Sequence, residues 1–192
     1  VKRYDRAYFD KWYRSVRVHS TGEMQRKVAM AVAICEYFLR RRIRNVLDVG
    51  CGEGAWFPHL RTLRPRVSYL GFDPSDYVVE RFGSARGIRK GNFAELNVDR
   101  RYDLVICSDV IHYLEEREIK RGLPTLVRAT GGIAFLELLT SEEDIVGDLE
   151  GLIRRPGSWY RKLFTDEGLV ECGPYCWLPK DVASESARLE VR

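Results

Sequence analysis

No apolar run in this 192-residue chain approaches the ~20 residues that a membrane-spanning helix needs. The opening stretch, VKRYDRAYFDKWYR, is charged and aromatic and lacks the apolar centre of a secretory leader. The five cysteines, an odd number scattered along the chain, do not form the pattern of a disulfide framework. Cys172 and Cys176, in CGPYC, have no second cysteine or histidine pair nearby to complete a zinc site, so no metal is expected. Internal repeats, low-complexity tracts and Pro/Gly-rich linkers are missing too. These absences leave a globular chain of one domain's length, 45% hydrophobic and 31% charged, expected to be soluble and cytoplasmic with no membrane partner.

Charge is present but unevenly placed. Residues 1–45 hold 12 Lys+Arg against 4 Asp+Glu, a net of +8, and the remainder returns the total to +4. Basic segments bind nucleic acid. The run RRRIR at 40–44, however, closes a predicted helix, where cations suit the helix dipole and leave a solvated end. A nucleic-acid partner is therefore not expected.

The pattern alternates between two periods. EMQRKVAMAVAICEYFLRR (23–41) repeats apolar residues at helical spacing, with STG before it as a cap. NVLDVG reads as a buried strand, GAWFPHLRTLRP as a helix, VSYLGFD as a strand and PSDYVVERFGSA as a helix. IRKGNF is a short strand entering a turn, YDLVICSD a strand, EREIKRGLPTLVRAT a helix interrupted by proline, and GGIAFLELL a strand. Such alternation predicts parallel strands joined by right-handed helical crossovers. After the acidic stretch SEEDIVGDLEG come a helical SWYRKLFTDEG and strands near LVECGPYCWL and ARLEV. The fold class is an open, doubly wound α/β sheet with an antiparallel hairpin at one edge.

Within it, VLDVGCGEGAW (46–56) places Gly50, Gly52 and Gly54 at alternate positions straight after a strand. Glycine is useful where backbone turns with positive φ or approaches a ligand closely. In open sheets the ligand site lies outside the carboxyl ends of the strands, which is where this turn falls. A dinucleotide turn needs G-x-G-x-x-G; this one is G-x-G-x-G, preceded by Asp48. Asp73, ending the second strand, suits ribose hydroxyls. Asn92 and Phe93, in GNFAEL, offer an amide for an adenine edge and a ring for its plane. Asn92 taken alone is equally a turn-former.

VLDVGCGEGAW, YLGFDPS, GNFAEL and YDLVICSDVIHYLEE, in that order and spacing, resemble the successive motifs of the class I S-adenosylmethionine-dependent methyltransferases over about residues 25–140. The resemblance implies a Rossmann-like, mostly parallel seven-stranded sheet and S-adenosylmethionine as methyl donor, with S-adenosylhomocysteine as product. It implies that Asp48 bonds the donor's amino group and that Gly50, Cys51 and Gly52 pack against its methionine portion. Asp73 would hold the ribose, Pro74 flank the adenine, and Asn92 with Phe93 bind it. Ser108 and Asp109 would end the fourth strand where donor and acceptor meet. Position 92 is asparagine where relatives often carry aspartate, which keeps an amide donor and removes a charge. The segment after 140 matches no substrate-recognition element, and so little chain beyond the cofactor core favours a small-molecule acceptor.

Three further expectations concern the surroundings of the site. His112, just past the fourth strand, is the candidate general base, with bracing of the donor pocket as the rival role. His19 and His59 are weaker candidates, His59 lying on a helix expected to point away from the methyl group. Residues 1–22, separate from the domain over 23–192, are expected to be a helical lid with Trp12 and Tyr13 facing the sulfonium, the rival reading being a helix that covers the core. Trp159 and Tyr160 are either a second wall of the pocket or core packing.

Overall fold

The computed structural model describes residues 2–16, 20–144 and 147–192; His19 falls outside them. Helix α1 (Arg6–Phe9) is capped by Asp5, whose side chain accepts from the Tyr8 N–H, and continues as a wider π-helical turn over Asp10–Val16. Ser20 caps α2 (Thr21–Leu39) by accepting from the Glu23 N–H. There follow β1 (Asn45–Val49), α3 (Trp56–Leu63), β2 (Ser68–Asp73), α4 (Asp76–Arg86), β3 (Ile88–Lys90) and β4 (Tyr102–Ser108). A 3-10 turn (Ile111–Tyr113), α5 (Glu116–Ala129), β5 (Thr130–Glu137), α6 (Gly157–Asp166), β6 (Leu169–Gly173), β7 (Cys176–Pro179) and α7 (Lys180–Ala183) complete the chain.

The seven strands form one sheet in the order β3-β2-β1-β4-β5-β7-β6. The first five are parallel, and the β6–β7 hairpin is antiparallel, as the two periods of the sequence predict. Side chains alternate across the sheet. Leu47, Val49, Val105 and Cys107 face α5 and α6, whereas Val46, Leu104 and Ile106 face α2 and α3. Both faces are covered, so the central strands read as continuous apolar runs. Strand order reverses between β1 and its neighbours β2 and β4, opening a crevice at their carboxyl ends. Among the described residues no helix is long and apolar enough to cross a membrane.

Three local expectations are corrected. Residues 187–191 form a turn rather than a strand, the Arg192 N–H reaching the Glu171 carbonyl at 2.9 Å. Pro124 does not interrupt α5, which runs unbroken with Ile119, Leu123 and Leu126 fully buried; that packing outweighs the hydrogen bond proline cannot make. The basic run after α2 is not merely a solvated end. Arg41 makes a two-pronged bond to Asp103 at 2.9 and 2.7 Å, and the Arg44 N–H donates to the same carboxylate at 2.6 Å. Burial opposes ionisation of Asp103, but Arg41 holds its carboxyl below the usual range. Part of the positive charge is thus committed to fastening α2 onto β4.

Candidate active site

The turn after β1 explains its glycines. Gly50, Gly52 and Gly54 all have positive φ, at 74°, 53° and 76°, a region that costs other L-residues ~1–2 kcal/mol. Space is equally restrictive. A Cβ on Gly50 would lie 2.3 Å from Val110, and one on Gly52 would lie 2.2 Å from the Tyr13 hydroxyl. The N–H groups of the turn are largely spent internally. Those of Gly50 and Cys51 both donate to the Phe72 carbonyl, and that of Gly54 to Cys51. What the turn presents is therefore glycine backbone, closely approached by Val110 and Tyr13, more than a row of free donors. Cys51 points inward, its sulfur against Gly71 of β2, and burial pushes its thiol far up.

Two buried carboxylates flank this surface. Asp48, 2% exposed, accepts a 2.6 Å bond from the Tyr69 hydroxyl. Burial raises its pKa to about 7, with Tyr69 opposing and Asp73 adding to the rise. No lysine or arginine is paired with it among the described residues. Asp73 accepts from the Gly52 N–H at 2.8 Å and from the Ser75 N–H at 2.9 Å, so it ties the glycine turn to the end of β2. Burial also lifts its pKa, against those two bonds. Pro74 beside it is exposed. Two buried carboxyl groups beside the glycine backbone suit a ligand that carries a cation and hydroxyl donors.

On the β3–β4 loop the geometry departs from expectation. The Asn92 amide is spent on a turn: its oxygen accepts from the Glu95 N–H and its nitrogen donates to the Glu95 carboxylate, both at 2.9 Å. Phe93 is 3% exposed and packs under α5, against Gly122. Neither side chain presents itself to an adenine; both shape the loop, because the core beneath α5 takes the ring and the turn takes the amide.

Beyond β4, the Ser108 hydroxyl donates to Glu137 at the end of β5, and Lys27 of α2 pairs with the same carboxylate at 2.7 Å. Asp109 has a positive φ of 58°, and its N–H donates to the Glu137 carbonyl at 3.0 Å. Lys27 and Glu137 escaped the sequence reading. A lysine within an amphipathic helix and a glutamate inside an apolar strand give no spacing signal; only the glutamate's position at a strand end hints at a role.

His112 is fully buried. Its Nδ1 accepts from the Leu139 N–H at 3.1 Å, so the neutral ring carries its proton on Nε2, which has no hydrogen-bond partner among the described residues. Burial lowers its pKa to about 4, with Asp109 opposing and Lys2 adding to the fall.

Comparison with known proteins fits this geometry. The model of a family described as methyltransferase domain matches residues 20–161, about three quarters of the chain. The chain belongs to the methyltransferase domain family. No curated protein matches its sequence. Solved structures with similar folds include the Streptomyces venezuelae protein DesVI, with 14% identity, a TM-score of 0.67, and 83% of this chain and 93% of that chain covered. The sugar N-methyltransferase KedS8 from a Streptoalloteichus species has 16% identity, a TM-score of 0.68, and coverage of 90% and 92%. The magnesium protoporphyrin IX methyltransferase of Synechocystis, solved with bound S-adenosylmethionine, has 19% identity, a TM-score of 0.61, and coverage of 88% and 84%.

For a methyltransferase of this kind, His112 does not have the geometry of a general base. Its one lone pair faces Leu139, its environment disfavours the imidazolium, and its backbone carbonyl accepts from the Ile153 N–H at 2.9 Å. It braces the loops after β4 and β5. Replacing it with glutamine is expected to lower the unfolding midpoint while leaving S-adenosylhomocysteine affinity within about threefold; turnover should miss the ~10²-fold drop that loss of a base brings. A turnover loss of that size at unchanged stability would restore the catalytic role. Trp159 and Tyr160 are core rather than pocket wall: Tyr160 is 2% exposed, and Trp159 packs beneath the Arg155 guanidinium.

Proposed function

We propose that this methyltransferase holds S-adenosylmethionine on the Gly50–Gly52 surface and methylates a small molecule. The observation that carries the reading is Asp48, a carboxylate buried beside the glycine turn with no lysine or arginine paired to it among the described residues. The donor's amino group would supply a cation, and Asp73 retains lone pairs for ribose hydroxyls after bonding Gly52 and Ser75. Gly50, Cys51 and Gly52 back the methionine portion, Pro74 flanks the adenine, and Ser108 and Asp109 border the acceptor. The bound donor brings an electrophilic sulfonium methyl. The chain's own contribution is to align the reactants and exclude water, and alignment of bound reactants can be worth ~7–11 kcal/mol. A small acceptor is supported by the sugar and porphyrin methyltransferases among the structural neighbours.

Residues 2–16 form the lid of this reading. Phe9 is 2% exposed and stacks on Tyr77 of α4, and the Tyr13 hydroxyl reaches Gly52. Trp12 pairs instead with Lys11. Gly52→Ala is the direct test. Its methyl meets Tyr13 and demands a strained φ, so S-adenosylhomocysteine affinity measured by calorimetry should fall at least about tenfold, by the size of such backbone strain. Undiminished affinity in a folded variant would move the donor elsewhere.

A further inference from the structure

Lys2 does not extend into solvent. Its ammonium lies 4.1 Å from the ring centre of Tyr113 and 5.3 and 5.4 Å from those of Tyr8 and Tyr4. It also pairs with the Asp148 carboxylate and donates to the Glu150 carbonyl at 2.9 Å. One wall is fastened beside the anion: the Tyr113 hydroxyl donates to the Asp148 carbonyl at 2.7 Å. The Lys2 and Asp148 side chains are only 12% and 11% exposed. Aromatic faces converging on one carboxylate make a cage for an ammonium group.

The cage borders the proposed donor site. The Tyr4 carbonyl accepts from the Ser75 hydroxyl at 2.5 Å, two residues past Asp73. Tyr113 follows His112 beyond β4, and Tyr8 precedes Phe9, whose ring approaches Gly52. All three rings thus meet at the carboxyl edge of the sheet.

We infer that this cage is the acceptor's nitrogen site, receiving an alkylamine in place of the Lys2 ammonium. Lys2, tethered through the lid, fills the site until the acceptor displaces it. The inference rests on the methyl-transfer reading above. The amine binds as its ammonium and releases one proton to bulk water; its freed lone pair then attacks the sulfonium methyl carbon, and the C–S bond breaks with its electrons going to sulfur. The products are a neutral thioether and an N-methylammonium, which keeps its proton, so the transfer step itself requires no base. The rings and Asp148 face the nitrogen where positive charge develops, and that contact strengthens from substrate to transition state.

Calorimetry with choline and its uncharged isostere 3,3-dimethylbutan-1-ol tests this on the full chain. Choline should bind Lys2→Ala at least about tenfold more tightly than it binds the wild type, because a tethered competitor acts at a high effective concentration. The isostere should bind neither protein, and adding Tyr113→Ala should abolish choline binding. In the wild type, saturating choline should accelerate hydrogen exchange in residues 2–9, a readout that stands even if Lys2→Ala folds poorly. Absence of choline binding, equal binding of the isostere, or unchanged exchange would each overturn the inference. Competition with S-adenosylmethionine would overturn it as well, by assigning the cage to the sulfonium. S-adenosylhomocysteine binding in the same samples separates the two failures. If it persists while choline does not bind, only the cage is lost; if it too is missing, the reading beneath is lost.

Discussion

Asp48→Asn is expected to become progressively more stable than the wild type as pH rises, reaching an advantage of ~4 kcal/mol near pH 8. The sign follows from the direction of the shift. Burial raises the Asp48 pKa from 3.8 to about 7. Between those values the native state keeps a proton that the unfolded chain has released, so stability falls as pH rises through the window. Below it the contribution vanishes, and above it the full penalty stands. Asparagine removes the titration and can still accept from Tyr69.

His112 acts in the opposite sense. Its pKa falls from 6.5 to about 4, so the unfolded chain binds the extra proton in that window and stability rises with pH. The two slopes oppose each other in the wild type. Asp48→Asn should expose the His112 rise and His112→Gln the Asp48 decline, both read from urea midpoints across the range. Parallel curves for wild type and Asp48→Asn would mean that Asp48 is ionised in the folded protein without cost. Donor binding should relieve the same penalty, so S-adenosylmethionine should stabilise the wild type more near pH 8 than near pH 5, and Asp48→Asn by similar amounts at both.

Gly122→Ala should destabilise the protein by ~2–3 kcal/mol, although alanine is the better helix former by ~1 kcal/mol. The added methyl would lie 2.1 Å from the Phe93 carbonyl and 2.5 Å from its ring. Neither can yield easily: the carbonyl is backbone, and the ring is held in the core beneath α5. The loop carrying Asn92 must move, so hydrogen exchange over residues 91–96 should rise along with the loss of stability. A variant as stable as the wild type would show that α5 can shift on the sheet at little cost.

The turn from β1 into α3 was legible in VLDVGCGEGAW because its signals are local: a β-branched strand, then glycines wherever φ must be positive. The strand alternation likewise determined the parallel sheet and its terminal hairpin, since side-chain period and connection length restrict how strands can pair. Tertiary structure decided what each polar group does. Asn92 and Phe93 carry the right chemistry for an adenine, yet a neighbouring glutamate takes the amide and a helix glycine about thirty residues on admits the ring. Asp73 reads as a free strand-end carboxylate and proves to bind Gly52 across the crevice. His112 owes its tautomer to a backbone N–H beyond the next strand. The Lys2 cage joins partners 148 positions apart in Lys2 and Glu150. Periodicity and turn chemistry operate over a few residues, whereas hydrogen-bond partners and burial are settled by whichever distant atoms the packed sheet brings together.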